Sequence, residues 1–205
     1  MEWRERVARE KRAAFRDHEY WGRPIPGFGD PAARVYVLGL APAAPGGNRT
    51  GRIFTGDRSG DWLYASLYRT DFANQPHAVH RDDGLRLEGA WVGAAVRCAP
   101  PANKPLPAER DNCLPYAEQE LALLAGVRVI VTLGGFAWDA ALRMLAPGIR
   151  PRPRFAHEAE QEVPDGRVLL GCYHPSQQNT FTGRLTEPMI DAVFARAREL
   201  AYSRQ

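Results

Sequence analysis

The chain has 205 residues, enough for one compact domain with a sizeable core. Its 44% hydrophobic and 25% charged residues are those of an ordinary globular protein, and a formal charge of +3 is too small to argue by itself for a nucleic-acid partner. No apolar run is long enough to cross a bilayer, and the charged start Met1-Glu2-Trp3-Arg4 does not read as a signal peptide, so a cytoplasmic, nucleoid-associated protein is expected.

In chain order, residues 3–17 are charged and helix-prone, with Trp3, Val7 and Ala8 available for one apolar face. A Gly- and Pro-rich lead-in follows from Tyr20 to Ala33. Four short apolar runs then have the length and β-branched content of buried strands: Arg34–Leu40, Ala90–Arg97, Val127–Leu133 and Arg167–Tyr173. Amphipathic helices are predicted at Ser59–Tyr68, Pro107–Leu124, Phe136–Leu145 and Glu187–Leu200. Strands alternating with helices predict a three-layer α/β/α fold, a central four-stranded parallel sheet flanked by helices, spanning 1–205 as a single domain.

Ligands of such sheets bind beyond the carboxyl ends of the strands, which directs attention to three loops. They are Gly39–Arg58, Arg97–Pro105 and His174–Arg184. Together they carry Arg49, Arg52, Arg58, Arg97, Lys104 and Arg184 against a single acid, Asp57. Cations in that excess favour a polyanion such as a phosphate backbone, with a solvated basic face as the plainer alternative. Gly46-Gly47 and Gly51 allow close backbone approach to a ligand, but no Walker loop or dinucleotide fingerprint is present. Phe54 is either a core plug or a stacking platform for an unstacked base. His174 opens its loop directly after a strand, as a strand-end cap or an acid–base partner, and Asn103 is equally compatible with turn chemistry.

Three cysteines, Cys98, Cys113 and Cys172, are an odd set without a secretory signal and argue against a disulfide framework, and Cys172 sits inside a predicted strand as core packing.

The run Gly39-Leu40-Ala41-Pro42-Ala43-Ala44 through Gly47-Asn48-Arg49-Thr50-Gly51-Arg52, then Phe54-Thr55-Gly56-Asp57, resembles the first motif of the family 5 uracil-DNA glycosylases. Val96-Arg97-Cys98-Ala99-Pro100-Pro101 with Asn103-Lys104-Pro105 resembles their second segment. Tyr173-His174-Pro175-Ser176 and Gln178-Asn179-Thr180 with Thr182-Gly183-Arg184 resemble the last. The resemblance runs through the whole chain in order. It departs at Pro45, where the family's motif has histidine, so no side-chain role is carried over there.

The resemblance implies a monofunctional DNA-repair glycosylase, a hydrolase that flips uracil and related damaged bases out of DNA and hydrolyses the N-glycosidic bond. Asp57, Asn103 and His174 are the implied catalytic residues. Gly39, Ala41, Pro42, Phe54 and His174 are implied to bind the base. Arg49, Arg52, Arg58, Lys104, Ser176, Gln178, Asn179 and Arg184 are implied to bind DNA. The implied partner is uracil-containing double-stranded DNA, single-stranded DNA being left open, and the implied state is a monomer. A non-catalytic damaged-DNA-binding protein and a small-molecule nucleotide enzyme are the rival readings.

The resemblance also implies a [4Fe–4S] cluster, held in related four-cysteine glycosylases by an early Cys-x-x-Cys pair and two later cysteines. Cys98 and Cys113 match the later two, and an early pair would lie before Trp3, so the sequence is expected to begin late relative to the family. Two thiols are half the usual ligand set, and two partly buried free cysteines are the alternative.

Overall fold

The computed structural model describes residues 2–203. Its strands are β1 (Phe28–Gly29), β2 (Val35–Gly39), β3 (Ala90–Ala94), β4 (Val129–Leu133), β5 (Glu160–Glu162) and β6 (Val168–Cys172). Its α-helices are α1 (Glu2–Glu10), α2 (Gly47–Thr50), α3 (Arg58–Arg69), α4 (Pro107–Leu123), α5 (Gly135–Leu145), α6 (Gln177–Phe181) and α7 (Glu187–Tyr202).

The strands form one sheet in the order β1-β3-β2-β4-β6-β5. The four predicted runs make its parallel centre, with Val35 opposite Ala90 and Val129, and Val129 opposite Val168. β2 and β4 are buried at every position, which is why they read as unbroken apolar runs rather than alternating ones. The alternation is still there, divided between two cores. Val35, Val37, Val131 and Leu170 face α3 and α7, packing with Leu63, Leu67 and Phe194. Tyr36, Leu38, Ile130 and Leu169 face α4 and α5, packing with Leu121, Trp138 and Leu142.

The sheet differs from the expected four strands at its edges. β1 and β5 pair antiparallel with β3 and β6. Two and three residues long, one ending in glycine and the other reading Glu-Gln-Glu, they carry no hydrophobic period to detect. The expected helix over 3–17 breaks after Glu10, where Lys11 takes φ 51 and a short 3-10 turn occupies Ala13–Phe15. That break swings Arg12 and Phe15 toward the carboxyl edge of the sheet, as described below.

The adjacent strands β2 and β4 send the chain into α3 and α5, on opposite faces. Divergence of neighbouring crossovers opens a crevice at the strands' carboxyl ends. The loops after β2, β3 and β6 meet there.

Candidate active site

Asp57 is held by the helix it begins. It is the N-cap of α3, in extended conformation (φ −141, ψ 162), and its Oδ1 accepts the Gly60 N–H at 3.1 Å. The other oxygen, Oδ2, lies against Gly46, where any side chain would collide with the carboxylate. Burial raises the carboxyl above its ordinary value. The N–H groups of Gly60 and Ser59 oppose that rise, Asp61 adds to it and Arg49 offsets it.

Phe54 has a left-handed backbone, φ 50, unusual for a bulky side chain and costing about 1–3 kcal/mol. Its neighbours hold it there. Tyr64 Oη donates to Ile53 O at 2.9 Å, and Arg52 Nε donates to Thr55 Oγ1 at 2.9 Å. The ring lies over Gly39, at 2.5 Å from where a β-carbon would stand, so glycine at the end of β2 is what admits the ring. Phe54 is 6% exposed, and its ring centroid is 6.0 Å from that of His174.

His174 leaves β6 with its carbonyl fixed by the Ser176 N–H (2.8 Å) and Asn179 Nδ2 (2.8 Å). Burial alone pushes its pKa down to about 4, so the imidazole is neutral at physiological pH.

These three side chains line one cavity of about 600 Å³. That lies within the roughly 300–1,000 Å³ of small-molecule pockets. Leu40, Ala41, Pro42, Ala43 and Pro45 also line it, as do Asn103, Ser176 and Gln178. Arg58 and Lys104 supply positive charge, joined by Arg12, which the loop reading had not included. Ala102 and Asn103 both have positive φ (51 and 55), which turns this exposed segment toward the cavity.

Other predicted residues lie elsewhere. Arg52 is not a rim cation: it is 3% exposed and forms a two-pronged ion pair with Asp83 at 2.9 and 2.7 Å. A guanidinium enclosed in that way is not available to a phosphate, so the expectation that Arg52 contacts DNA is corrected. Arg97 likewise pairs with Glu120 at 3.0 Å, which also accepts from Tyr36 Oη and the Gly27 N–H. Asn179 uses its amide on His174 O, Gly39 sits behind Phe54, and Arg49 bonds to the carbonyls of Pro45 (2.7 Å) and Gly56 (3.3 Å). Arg184 is exposed with its guanidinium 4.6 Å from the Tyr173 ring.

Phe181 was missed by the loop reading. It ends α6, is 67% exposed, and has the Arg58 guanidinium 4.6 Å from its ring centre. The available signal was an aromatic residue in the otherwise polar stretch Gln177-Gln178-Asn179-Thr180.

Of the four thiols that an iron–sulfur cluster usually takes, Cys98 and Cys113 supply two. Cys98 Sγ is engaged by the guanidinium of Arg4, whose Nη1 stands at 2.8 Å and whose Nε donates to Gly22 O at 3.2 Å. Arg4 is 8% exposed and wedged into the space beside that thiol. Among the described residues no three histidine, cysteine or acidic side chains come together as a metal site. Cys98 and Cys113 thus offer half of the usual four-thiolate ligand set. All three cysteines are free thiols, and burial raises that of Cys172, which belongs to the core.

Among the described residues no helix is long and apolar enough to cross a membrane. The family model of the uracil DNA glycosylase superfamily matches residues 26–198. A protein from Mycobacterium bovis named type-5 uracil-DNA glycosylase is 55% identical over 202 residues, 98% of this chain and 75% of its own length. One of the same name from Thermus thermophilus is 51% identical, over 97% of this chain and 90% of its own. The type-4 uracil-DNA glycosylase of Pyrobaculum aerophilum is more distant, at 31% identity over 78% of this chain and 74% of its own. Matched along nearly its whole length by relatives of one kind, and with the site at the sheet edge that its motifs mark, the chain belongs to the uracil DNA glycosylase superfamily and within it to the type-5 uracil-DNA glycosylases.

Proposed function

We propose that this protein, acting as one domain and as a monomer, hydrolyses the N-glycosidic bond of uracil and of other deaminated bases in double-stranded DNA. The observation that carries the proposal is the meeting of Asp57, Phe54 and His174 in one cavity with Arg12, Arg58 and Lys104 at its edge. The base of a stacked nucleotide cannot be reached, so it must swing out of the helix into this cavity. Phe54 stacks on it. The backbone of Leu40–Ala43 and the Asn103 and Ser176 side chains then face its polar edge.

Breaking the bond from C1′ to the base leaves positive charge on the sugar and negative charge on the departing uracil. Asp57 stabilises the first and accepts a proton from the attacking water, which adds to C1′ and leaves an abasic sugar. Neutral His174 donates a hydrogen bond to the uracil oxygen where negative charge collects, without the cost of a buried imidazolium. Asn103 helps hold the water. Lys104, Arg58, Gln178 and Arg184 grip the distorted backbone, while Arg49 shapes the loop that carries Asp57. Phe181, exposed beside Arg58, fills the space that the swung-out base leaves in the stack.

The test is release of uracil from an oligonucleotide duplex, read as alkali-labile abasic sites on a gel. Binding without abasic sites would instead identify a damage-recognising protein that does not cut. Turnover of free deoxyuridine with little dependence on salt would identify a nucleoside enzyme.

A further inference from the structure

A strip of cations leads away from the cavity, from Arg12 at its edge to Arg23 and Arg81 beyond it. Arg12 lines the cavity, and three residues on, Phe15 packs under the Arg49 guanidinium at 4.1 Å. Arg49 Nη1 is 3.2 Å from His18 Nδ1. Arg49 also reaches into a separate hollow of about 320 Å³, which Trp21, Arg23 and Arg81 line. The guanidiniums of Arg23 and Arg81 stand 5.6 and 4.9 Å from the centre of the Trp21 ring.

This arrangement is built rather than incidental. The Trp21 ring packs on Gly51, and its Nε1 donates to Pro24 O at 3.2 Å, so the ring is a fixed platform for both cations. The loop that carries Arg81 is fastened from inside by Arg52. Its Nη1 donates to Arg81 O at 3.3 Å, and its fork grips Asp83, which also accepts the N–H groups of Val79, His80 and Leu85. Little neutralises the charge at the surface. Among the described residues Arg23 and Arg49 make no ion pair, and Arg81 meets only the exposed Asp82 at 3.8 Å. Glu19 is the single acid lining the hollow.

Guanidiniums with few ion-pair partners, held beside one another on a fixed ring, are suited to phosphates. We propose that this strip is a second DNA contact, which takes the phosphate backbone of the duplex on one side of the lesion and makes the protein's footprint asymmetric about the uracil. The inference rests on the cavity being the nucleotide site, since the strip starts at its edge.

The test uses the full chain and duplexes that carry 2′-fluorodeoxyuridine, which resists cleavage. The duplexes are flanked fully on both sides or trimmed close to the lesion on one side or the other, and affinity is read by fluorescence anisotropy across a salt series. The variant Arg23→Glu/Arg81→Glu should lose about tenfold or more on the fully flanked duplex and show a salt slope shallower by about two. It should match wild type on the duplex trimmed on one particular side, and release uracil from the unmodified deoxyuridine duplex at the wild-type rate at saturating enzyme. Arg23→Gln/Arg81→Gln should show a smaller loss with the same one-sided pattern. Wild-type affinity in both variants on every duplex overturns the proposal, and so does an equal loss on both trimmed duplexes. A wild-type protein that binds these duplexes but releases no uracil from the same duplex carrying unmodified deoxyuridine overturns the reading of the cavity instead, and the flank measurements still decide the strip.

Discussion

Asp57 and Gly46 are in contact. The Oδ2 oxygen of the carboxylate occupies the volume that any side chain at position 46 would need. The bare backbone at Gly46 therefore acts as a mould for the carboxylate, and the motif's two adjacent glycines have different tasks. Gly47 packs against Ile25 and Pro42 in the interior, while Gly46 faces the cavity's acid. Gly46→Ala should displace the carboxylate and lower single-turnover excision by roughly 10²-fold, the order expected for an ångström of misplacement. A wild-type rate in this variant would mean that the position of Asp57 is not set here.

Asp57→Asn separates activity from stability. Asparagine caps α3 as aspartate does, accepting the Gly60 N–H, so the helix start is kept. Loss of the charge should reduce base release by roughly 10²–10⁴-fold with little change in DNA affinity. Burial raises the Asp57 pKa in the folded protein, which means the folded state holds its proton to higher pH than the unfolded chain does. The ionised carboxylate thus costs stability at neutral pH, and the cost disappears as pH falls through the folded value. Asp57→Asn should therefore melt at a higher temperature than wild type near neutrality, with the gap closing in acid. Melting curves across pH check this, and a variant less stable than wild type at neutral pH would contradict it.

The pH–rate profile should show an acid limb from Asp57 and none from His174 near neutrality. An unperturbed histidine titrates at about 6.5, but burial holds this one at about 4. Its stability contribution has the matching sign. The neutral ring has no effect above the unfolded value, and stability is lost as pH falls from there toward the folded one. His174→Gln should slow the chemical step while leaving the shape of the profile between about pH 6 and 8 unchanged. An inflection near neutrality that disappears in His174→Gln would show that the imidazole titrates normally and acts as a cation.

What the sequence disclosed follows from how local each signal is. The four central strands were legible because burial on both faces makes β2 and β4 unbroken runs such as Val129–Leu133. The edges were not, because β1 and β5 offer two and three residues with no apolar period. Among site residues, Asp57, Phe54 and His174 stood out as a lone acid, an aromatic in a polar loop and a histidine at a strand end. Arg52 was misread because its partner Asp83 lies 31 residues away, in a segment that a loop-by-loop reading treats separately. Arg12 escaped notice because its position depends on a backbone reversal at Lys11, a residue type that does not advertise a left-handed φ.

The Arg52–Asp83 pair is structural, and its removal should show as instability rather than lost chemistry. Burial pushes the Asp83 carboxyl up, but Arg52 and the N–H groups of Leu85, His80 and Val79 overcome this and hold it well below the usual carboxylate range. Breaking a buried pair leaves an uncompensated charge, at a cost of about 3–5 kcal/mol. Arg52→Ala should lower the denaturant midpoint accordingly. Because a depressed carboxyl contributes stability above its unfolded value and loses it as pH falls further, the variant and wild type should converge in strong acid. A variant of unchanged stability with a shallower salt slope of DNA binding would return Arg52 to the phosphate-contacting set.

Phe181 offers the most direct test of how the flipped state is held. Exposing 67% of a phenylalanine at the end of α6 has no benefit for the fold, and the guanidinium of Arg58, which lines the cavity, stands 4.6 Å from the ring centre. If the ring occupies the gap in the stack, it stabilises the extruded nucleotide against return, a contribution that matters only where there is a stack to leave. Phe181→Ala should therefore lower kcat/KM on uracil paired with adenine by about tenfold or more, given unstacking costs of a few kcal/mol. Uracil in a mismatch should suffer less, because a mismatched base is already easier to extrude. Melting temperature should not change, since the side chain buries little. Equal losses on paired and mismatched uracil would assign Phe181 to general DNA contact and leave the gap to be filled by another residue of the same loop.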